Sequence, residues 1–147
     1  MISQEKYIEL VETILNRSMA NSSQKEAIMA PVDESQYIVA GPGSGKTTVL
    51  VLKILKYYFV DDISFDDVIV TTFTKKAARE LKNRTILWAK MISEALDYDL
   101  NYDFNRMVIG TLDSIAEDIV CDGESIEVID NFTSSALMMQ TLLLDNK

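Results

Sequence analysis

Apolar positions recur along this chain with two different periods, and the alternation between them predicts the order of elements. Tyr7, Leu10, Val11, Ile14 and Leu15 fall at helical spacing within residues 3–19, which predicts a first amphipathic helix. A polar run, Asn21-Ser22-Ser23-Gln24-Lys25-Glu26, follows with Ser23 and Glu26 in the register of a reciprocal N-terminal cap. The short helix it opens has to stop near Pro31, because proline cannot supply the next backbone donor. Gln36-Tyr37-Ile38-Val39-Ala40 reads as a buried strand that runs directly into Gly41-Pro42-Gly43-Ser44-Gly45. From Lys46 to Phe59 the pattern is apolar over helical length. Val68–Thr72 is a second buried strand, and Thr74 is a good N-cap for a long helix from Lys75 to about Leu96.

The second half continues in the same way. A polar, acidic loop over 97–105 leads to a third short apolar strand, Met107–Gly110, and Thr111 opens a helix from Leu112 to about Val120. Ile126–Ile129 has the composition of a strand and Ser134–Leu144 that of a last helix. Apolar β-branched strands alternating with helical crossovers predict an α/β fold with a parallel sheet covered on both faces.

Composition narrows the function classes. The 147 residues are 48% hydrophobic and 25% charged, with five glycines and two prolines, as expected of a core-forming domain. Lys53 and Lys56 interrupt the longest apolar stretch, so no membrane span is expected. The N-terminus has neither the basic start nor the apolar run of a secretory signal. One cysteine, Cys121, cannot form an internal bridge and fits a reducing, cytoplasmic setting. The absence of histidine removes Ser-His-Asp hydrolysis, Cys-His nucleophiles and His-ligated zinc. The net charge is −9, yet residues 72–90 carry six basic groups against one acidic. Such a basic island in an acidic chain points to an anionic partner there, although a solvated helix face accounts for it equally well.

The chemistry concentrates at Ala40-Gly41-Pro42-Gly43-Ser44-Gly45-Lys46-Thr47, which matches the phosphate-binding loop pattern with Ala40 in place of the first glycine. Glycines let successive backbone N–H groups turn toward one anion and let its oxygens approach closely. The helix that follows adds the positive end of its dipole. Lys46 carries the full charge for the β- and γ-phosphates, and the Thr47 hydroxyl is placed to ligate Mg2+. These residues, with Thr48, form the candidate ATP site, Lys46 and Thr47 being its catalytic members.

Three further segments resemble one family. Asn21 to Ala27, containing Gln24, is similar to the Q motif of UvrD/Rep-type superfamily 1 DNA helicases. Thr72-Phe73-Thr74-Lys75-Lys76-Ala77-Ala78-Arg79-Glu80-Leu81 resembles their motif Ia, and Gly110-Thr111-Leu112-Asp113-Ser114-Ile115-Ala116 their motif Ib. With the phosphate loop, all four stand in the family's order over residues 21–116. The resemblance implies a RecA-like P-loop NTPase domain, a three-layer α/β/α arrangement, and an ATP-dependent translocase or helicase of DNA repair type acting on single-stranded DNA with 3′-to-5′ polarity. It gives Gln24 the adenine, and it assigns DNA contacts to Thr72, Phe73, Thr74, Lys75, Lys76, Arg79 and Thr111. An amide suits adenine's paired donor and acceptor, although Gln24 also reads as an ordinary early helix residue. Phe73 is either a base-stacking platform or part of the core. Trp88, Tyr57, Tyr58 and Phe59 read as packing.

The chain departs from the family at Leu112 and Asp113, where a Phe and a His are usual, at Lys75 in place of Asn, and at Thr48 in place of Arg. Asp113 repels phosphate, which places the motif Ib contact with DNA in question. Asp61-Asp62 closes the preceding helix and reads as its terminus. Ile126-Glu127-Val128-Ile129-Asp130 ends in one acid, followed by Asn131 where the family has Glu. The family's Asp-Glu motif and its arginine finger are not found. The expectation is therefore a fragment: residues 1–123 the first part of the first RecA-like domain, and residues 124–147 the start of a helical insertion or an incomplete remainder. It should bind Mg-ATP without turning it over and self-associate through an unpaired sheet edge. Two other readings stay open: a compact phosphotransferase using Asp130 or Asp62 for the metal, and a non-enzymatic interaction domain with a vestigial loop.

Overall fold

In the computed structural model, residues 1–98 and 102–121 are described. The strand and helix expected at 126–129 and 134–144, Asp130, and the segment from residue 124 onward lie outside them. The chain divides into two compact units, Met1–Ile115 and Ala116–Lys147.

The elements of the first unit follow local rules. Helix α1 spans Gln4–Thr13 and starts at Ser3, whose hydroxyl accepts from the Lys6 amide at 3.2 Å. Helix α2 covers Ser22–Met29 and is capped by Asn21, whose side chain accepts from the Gln24 amide at 3.0 Å. The cap expected from Ser23 and Glu26 is thus replaced by one two residues earlier. Asn21 is the better Ncap because its own backbone is extended while Ser22 and Ser23 are already helical. Helix α3, Lys46–Phe59, has the bounds its pattern predicted. Strand β1 is Ile69–Thr72, helix α4 is Lys75–Ala95 and strand β2 is Val108–Thr111. Thr74 caps α4 as expected, accepting from the Ala77 amide at 3.1 Å. Helix α5, Leu112–Cys121, begins in the first unit, and its residues from Ala116 onward belong to the second.

The α/β class and the parallel sheet are present. β1 and β2 pair in parallel from Ile69 opposite Val108 to Thr72 opposite Thr111, with α4 as the crossover between them. Two features differ from expectation. Among the described residues the sheet has two strands, because Gln36–Ala40 finds no ladder partner and Tyr37 and Val39 are exposed. Secondly, β1 buries Val70 but leaves Ile69 open to solvent, so one of its faces is uncovered. Apolar patterning predicts which residues need cover; whether a neighbouring strand supplies it is a tertiary matter.

The core gathers α1, α3 and α4. Tyr7, Leu10 and Val11 of α1 meet Val51, Leu52 and Leu55 of α3 and Leu81, Trp88, Ala89 and Ile92 of α4. Tyr7 is wholly buried and donates its hydroxyl to the Leu52 carbonyl at 2.6 Å. Trp88 lies in this core as expected, with the Arg17 guanidinium 5.4 Å from its ring centroid. Tyr58 stacks on Phe65 at 4.3 Å, Tyr102 packs edge-on against Phe65, and Phe104 packs edge-on against Tyr102.

Candidate functional site

Local backbone geometry shapes the loop before α3. Gly43 and Gly45 take left-handed conformations, φ +75° and +83°, which side chains with a Cβ rarely adopt. Between them the Ser44 amide and hydroxyl both turn back on the Gly41 carbonyl, at 3.3 and 2.7 Å. α3 then begins without a side-chain cap, and its first backward backbone bond runs from Val49 to Gly45 at 3.0 Å. The amides of Lys46, Thr47 and Thr48 therefore have no acceptor among the described residues. Three orphan donors at the positive end of a fourteen-residue helix make an anion-binding geometry.

The charged and polar side chains converge on this loop. Lys46 lies along it, donating to the carbonyls of Ala40 at 3.0 Å and Gly41 at 2.6 Å. Gln24, from α2, donates its amide to the Ser44 carbonyl at 2.9 Å. One amide hydrogen and the carbonyl oxygen of Gln24 are left over, a donor and an acceptor side by side. A cavity of about 440 Å³ opens between α2 and the loop, with Gln24, Ala40, Ser44, Lys46 and Lys53 among its lining residues. Thr47 is exposed on the first turn of α3 and Thr48 is half-buried beside it. Pro42 is exposed on the loop's outer turn.

Whether these residues suit a Mg-nucleotide follows from their chemistry. Orphan amides, an ammonium and an adjacent hydroxyl at a helix N-terminus fit a polyphosphate. Among the described residues no three acids, cysteines or histidines cluster as a metal cage.

From the sequence Lys53 reads only as an interruption of an apolar stretch. Its ammonium donates to the Ala27 carbonyl of α2 at 2.8 Å and to the Gln36 side chain at 2.6 Å. Burial, and behind it the Lys56 ammonium, holds Lys53 below the ordinary lysine range, while Glu34 and Asp61 pull the other way. Lys56, one turn on, is fully buried; it donates to the Ala30 carbonyl at 3.3 Å and to Asp61 at 2.6 Å. Asp61 thus works as the helix terminus the sequence suggested. The available signal was two lysines three apart in an otherwise apolar helix.

A second group of residues meets at the carboxyl rim of the sheet. The strand register sets Thr72 and Thr111 side by side. The Thr72 hydroxyl donates to the Thr74 carbonyl at 3.0 Å, shaping the turn that presents Phe73. Phe73 is completely exposed, which removes the core-packing alternative. A shallow groove of about 280 Å³ brings Lys75 and Arg79 of α4 against Thr111; it also takes in Lys82 of the same basic island and Ser114, to which the sequence assigns no role. Lys76 is exposed outside that groove. Ser114 accepts from the Thr111 amide at 3.0 Å, and its own amide donates to the Thr111 hydroxyl at 3.3 Å, so Thr111 doubles as the cap of α5. Asp113 is exposed in the first turn of that helix. Among the described residues no helix is long and apolar enough to cross a membrane.

Comparison with known proteins finds relatives of one kind. ATP-dependent DNA helicase SRS2 of Saccharomyces cerevisiae is 35% identical over 98 residues, covering 67% of this chain and 8% of that protein. DNA helicase II of Haemophilus influenzae is 36% identical over 96 residues, 65% of this chain and 12% of the relative. An ATP-dependent helicase/nuclease from Streptococcus pneumoniae is 31% identical over an alignment covering 99% of this chain and 13% of its own. The chain thus spans between 8% and 13% of the length of these relatives. The family model for the UvrD/REP helicase N-terminal domain matches residues 20–144. A matched domain covering most of the sequence and relatives of one kind together place this chain in the UvrD/REP helicase family.

Proposed function

We propose that these 147 residues form the Mg-ATP-binding part of an ATP-dependent DNA helicase or translocase that moves on single-stranded DNA, 3′ to 5′ by resemblance to its family. One observation carries the reading: the orphan amides of Lys46, Thr47 and Thr48 open α3 beside the Lys46 ammonium, with the Gln24 amide one hydrogen bond away on Ser44. On binding, Lys46 exchanges the carbonyls of Ala40 and Gly41 for phosphate oxygens. The free amides of Lys46, Thr47 and Thr48 would hold phosphate oxygens that Gly43 and Gly45 let approach, Thr47 would offer its hydroxyl to Mg2+, and Gln24 would read the adenine edge with its remaining donor and acceptor. ATP supplies the phosphoanhydride energy that the whole protein spends on movement.

Phe73 offers an unobstructed ring for stacking a base, and Thr72, Thr74, Lys75, Lys76, Arg79 and Thr111 offer hydroxyls, amides and charge for phosphates. In the family, in-line attack also needs an Asp-Glu pair and an arginine finger, neither of which stands in these residues. This chain by itself therefore binds ATP without multiple turnover. The exposed Tyr37 and Val39 of the unpaired run also favour self-association of the isolated chain, read by size-exclusion chromatography at several concentrations.

The deciding experiment titrates the chain with a fluorescent ATP analogue in Mg2+, beside Lys46→Ala. Saturable binding that weakens at least tenfold in the variant supports the reading. Equal binding by both refutes it, and steady-state hydrolysis lost with Lys46 would move the assignment to a self-contained phosphotransferase.

A further inference from the structure

α2 is an eight-residue helix, too short to hold its place through its own hydrogen bonds. Its position fixes where Gln24 points, because Gln24 sits about one turn before the Ala27 carbonyl. Lys53 reaches that carbonyl from α3 at 2.8 Å, at the negative end of the α2 dipole, where an ammonium is favoured. The same ammonium holds the Gln36 side chain at 2.6 Å, at the start of the run that enters the phosphate loop. It also lies 5.5 Å from the centre of the Tyr57 ring. One side chain thus joins the helix carrying the base-contacting amide, the segment leading into the loop and the helix leaving it. The Lys56 ammonium takes the carbonyl of Ala30, the residue that caps the end of α2, but pairs with Asp61 and not with the run toward the loop.

We propose that Lys53 is a positioning residue for base selectivity: by tying α2 to Gln36 it sets the distance between the base-reading amide of Gln24 and the phosphate loop. The proposal rests on the reading of Gln24 as the adenine contact. Phosphate binding depends on the orphan amides in the first turn of α3, to which Lys53, two turns on, makes no hydrogen bond. Its loss should therefore blur the base without weakening the triphosphate.

The test measures dissociation constants of the 147-residue chain for ATP, GTP and inorganic tripolyphosphate in Mg2+, with Lys53→Met, Lys53→Arg and Gln24→Ala alongside. Lys53→Met keeps the aliphatic stem and should reduce the ATP-over-GTP preference about tenfold, while tripolyphosphate stays within about twofold. Lys53→Arg, which still donates to both acceptors, should recover most of the preference. Equal weakening of all three ligands in Lys53→Met would assign the residue a merely structural part and overturn the proposal, as would an unchanged preference. Should Gln24→Ala leave the preference intact, the adenine reading itself falls, a distinct failure that takes the proposal with it. If Lys53→Met does not fold by thermal denaturation, Gln36→Leu cuts the loop-side bond at a half-buried position and gives the same readout. A preference unchanged in that variant overturns the proposal equally.

Discussion

Replacing Gly45 by alanine tests the loop geometry most directly. Gly45 holds φ +83° as the residue from which α3 departs, and a Cβ built there would stand 3.5 Å from the Gln24 amide nitrogen. That distance is an ordinary contact, so steric collision is not the main cost. The cost is the left-handed backbone, about 1–2 kcal/mol for an alanine. It has two places to appear. If the variant keeps the native turn, stability falls by the full amount and nucleotide affinity is preserved. If the variant relaxes to negative φ, stability is spared, but binding must restore the turn. The affinity for ATP then falls about five- to thirtyfold, since each 1.4 kcal/mol is a factor of ten. The two losses, read by urea denaturation and by nucleotide titration, should therefore sum to about 1–2 kcal/mol however they divide. A summed loss below about 0.5 kcal/mol, the range of a neutral surface change, would refute the strained-turn account of this loop.

Other expectations follow from single contacts. Tyr7→Phe removes the donor to the Leu52 carbonyl, which sits within α3 where a helical amide already uses it, so denaturation should show a loss of about 1 kcal/mol. Tyr7→Ala also empties the core and should lose about 3–5 kcal/mol. Phe73→Ala touches no core residue and should leave the denaturation midpoint in place, while weakening binding of an oligothymidine by about 1–3 kcal/mol in a polarisation assay. Burial pushes the Tyr58 phenol up to about 12, and Tyr7 and Tyr102 are raised as well, Tyr102 also by its bond to Asp66. Above about pH 10 the unfolded chain loses these protons before the folded one does. Stability should therefore hold below about pH 10 and decline as pH rises toward and past the folded values, which denaturation midpoints along an alkaline series would register.

How much of this is legible in the sequence depends on whether a feature is set locally. The bounds of α3 can be read because glycines end at Gly45 and an apolar helical pattern starts at Lys46. Thr74 announces α4 because it precedes a strong helix former after a strand. The pattern misplaces the cap of α2 from Asn21 to Ser23 because three capping residues stand in a row, and only the backbone path decides among them. Gln36–Ala40 carries the apolar signature of a buried strand, but a ladder requires a second segment that the run itself does not name. Lys53 and Ser114 escape notice for a related reason. A lysine in an apolar helix is normally a side chain reaching for water. That this one finds the Ala27 carbonyl and Gln36 depends on where α2 docks.

The twenty-one residues of α4 make a strut about 30 Å long. Its amino end lies beside the carboxyl rim where Phe73 projects, and its middle is clamped by Leu81, Trp88, Ala89 and Ile92 against α1 and α3. A helix bonded along its whole length resists axial compression, so a load placed near Lys75 cannot be absorbed there. It passes into α1 and α3, the helices against which the buried residues of α4 pack. The basic first turns of α4 and the body of α3 are thereby parts of one stiff core, with little give between them.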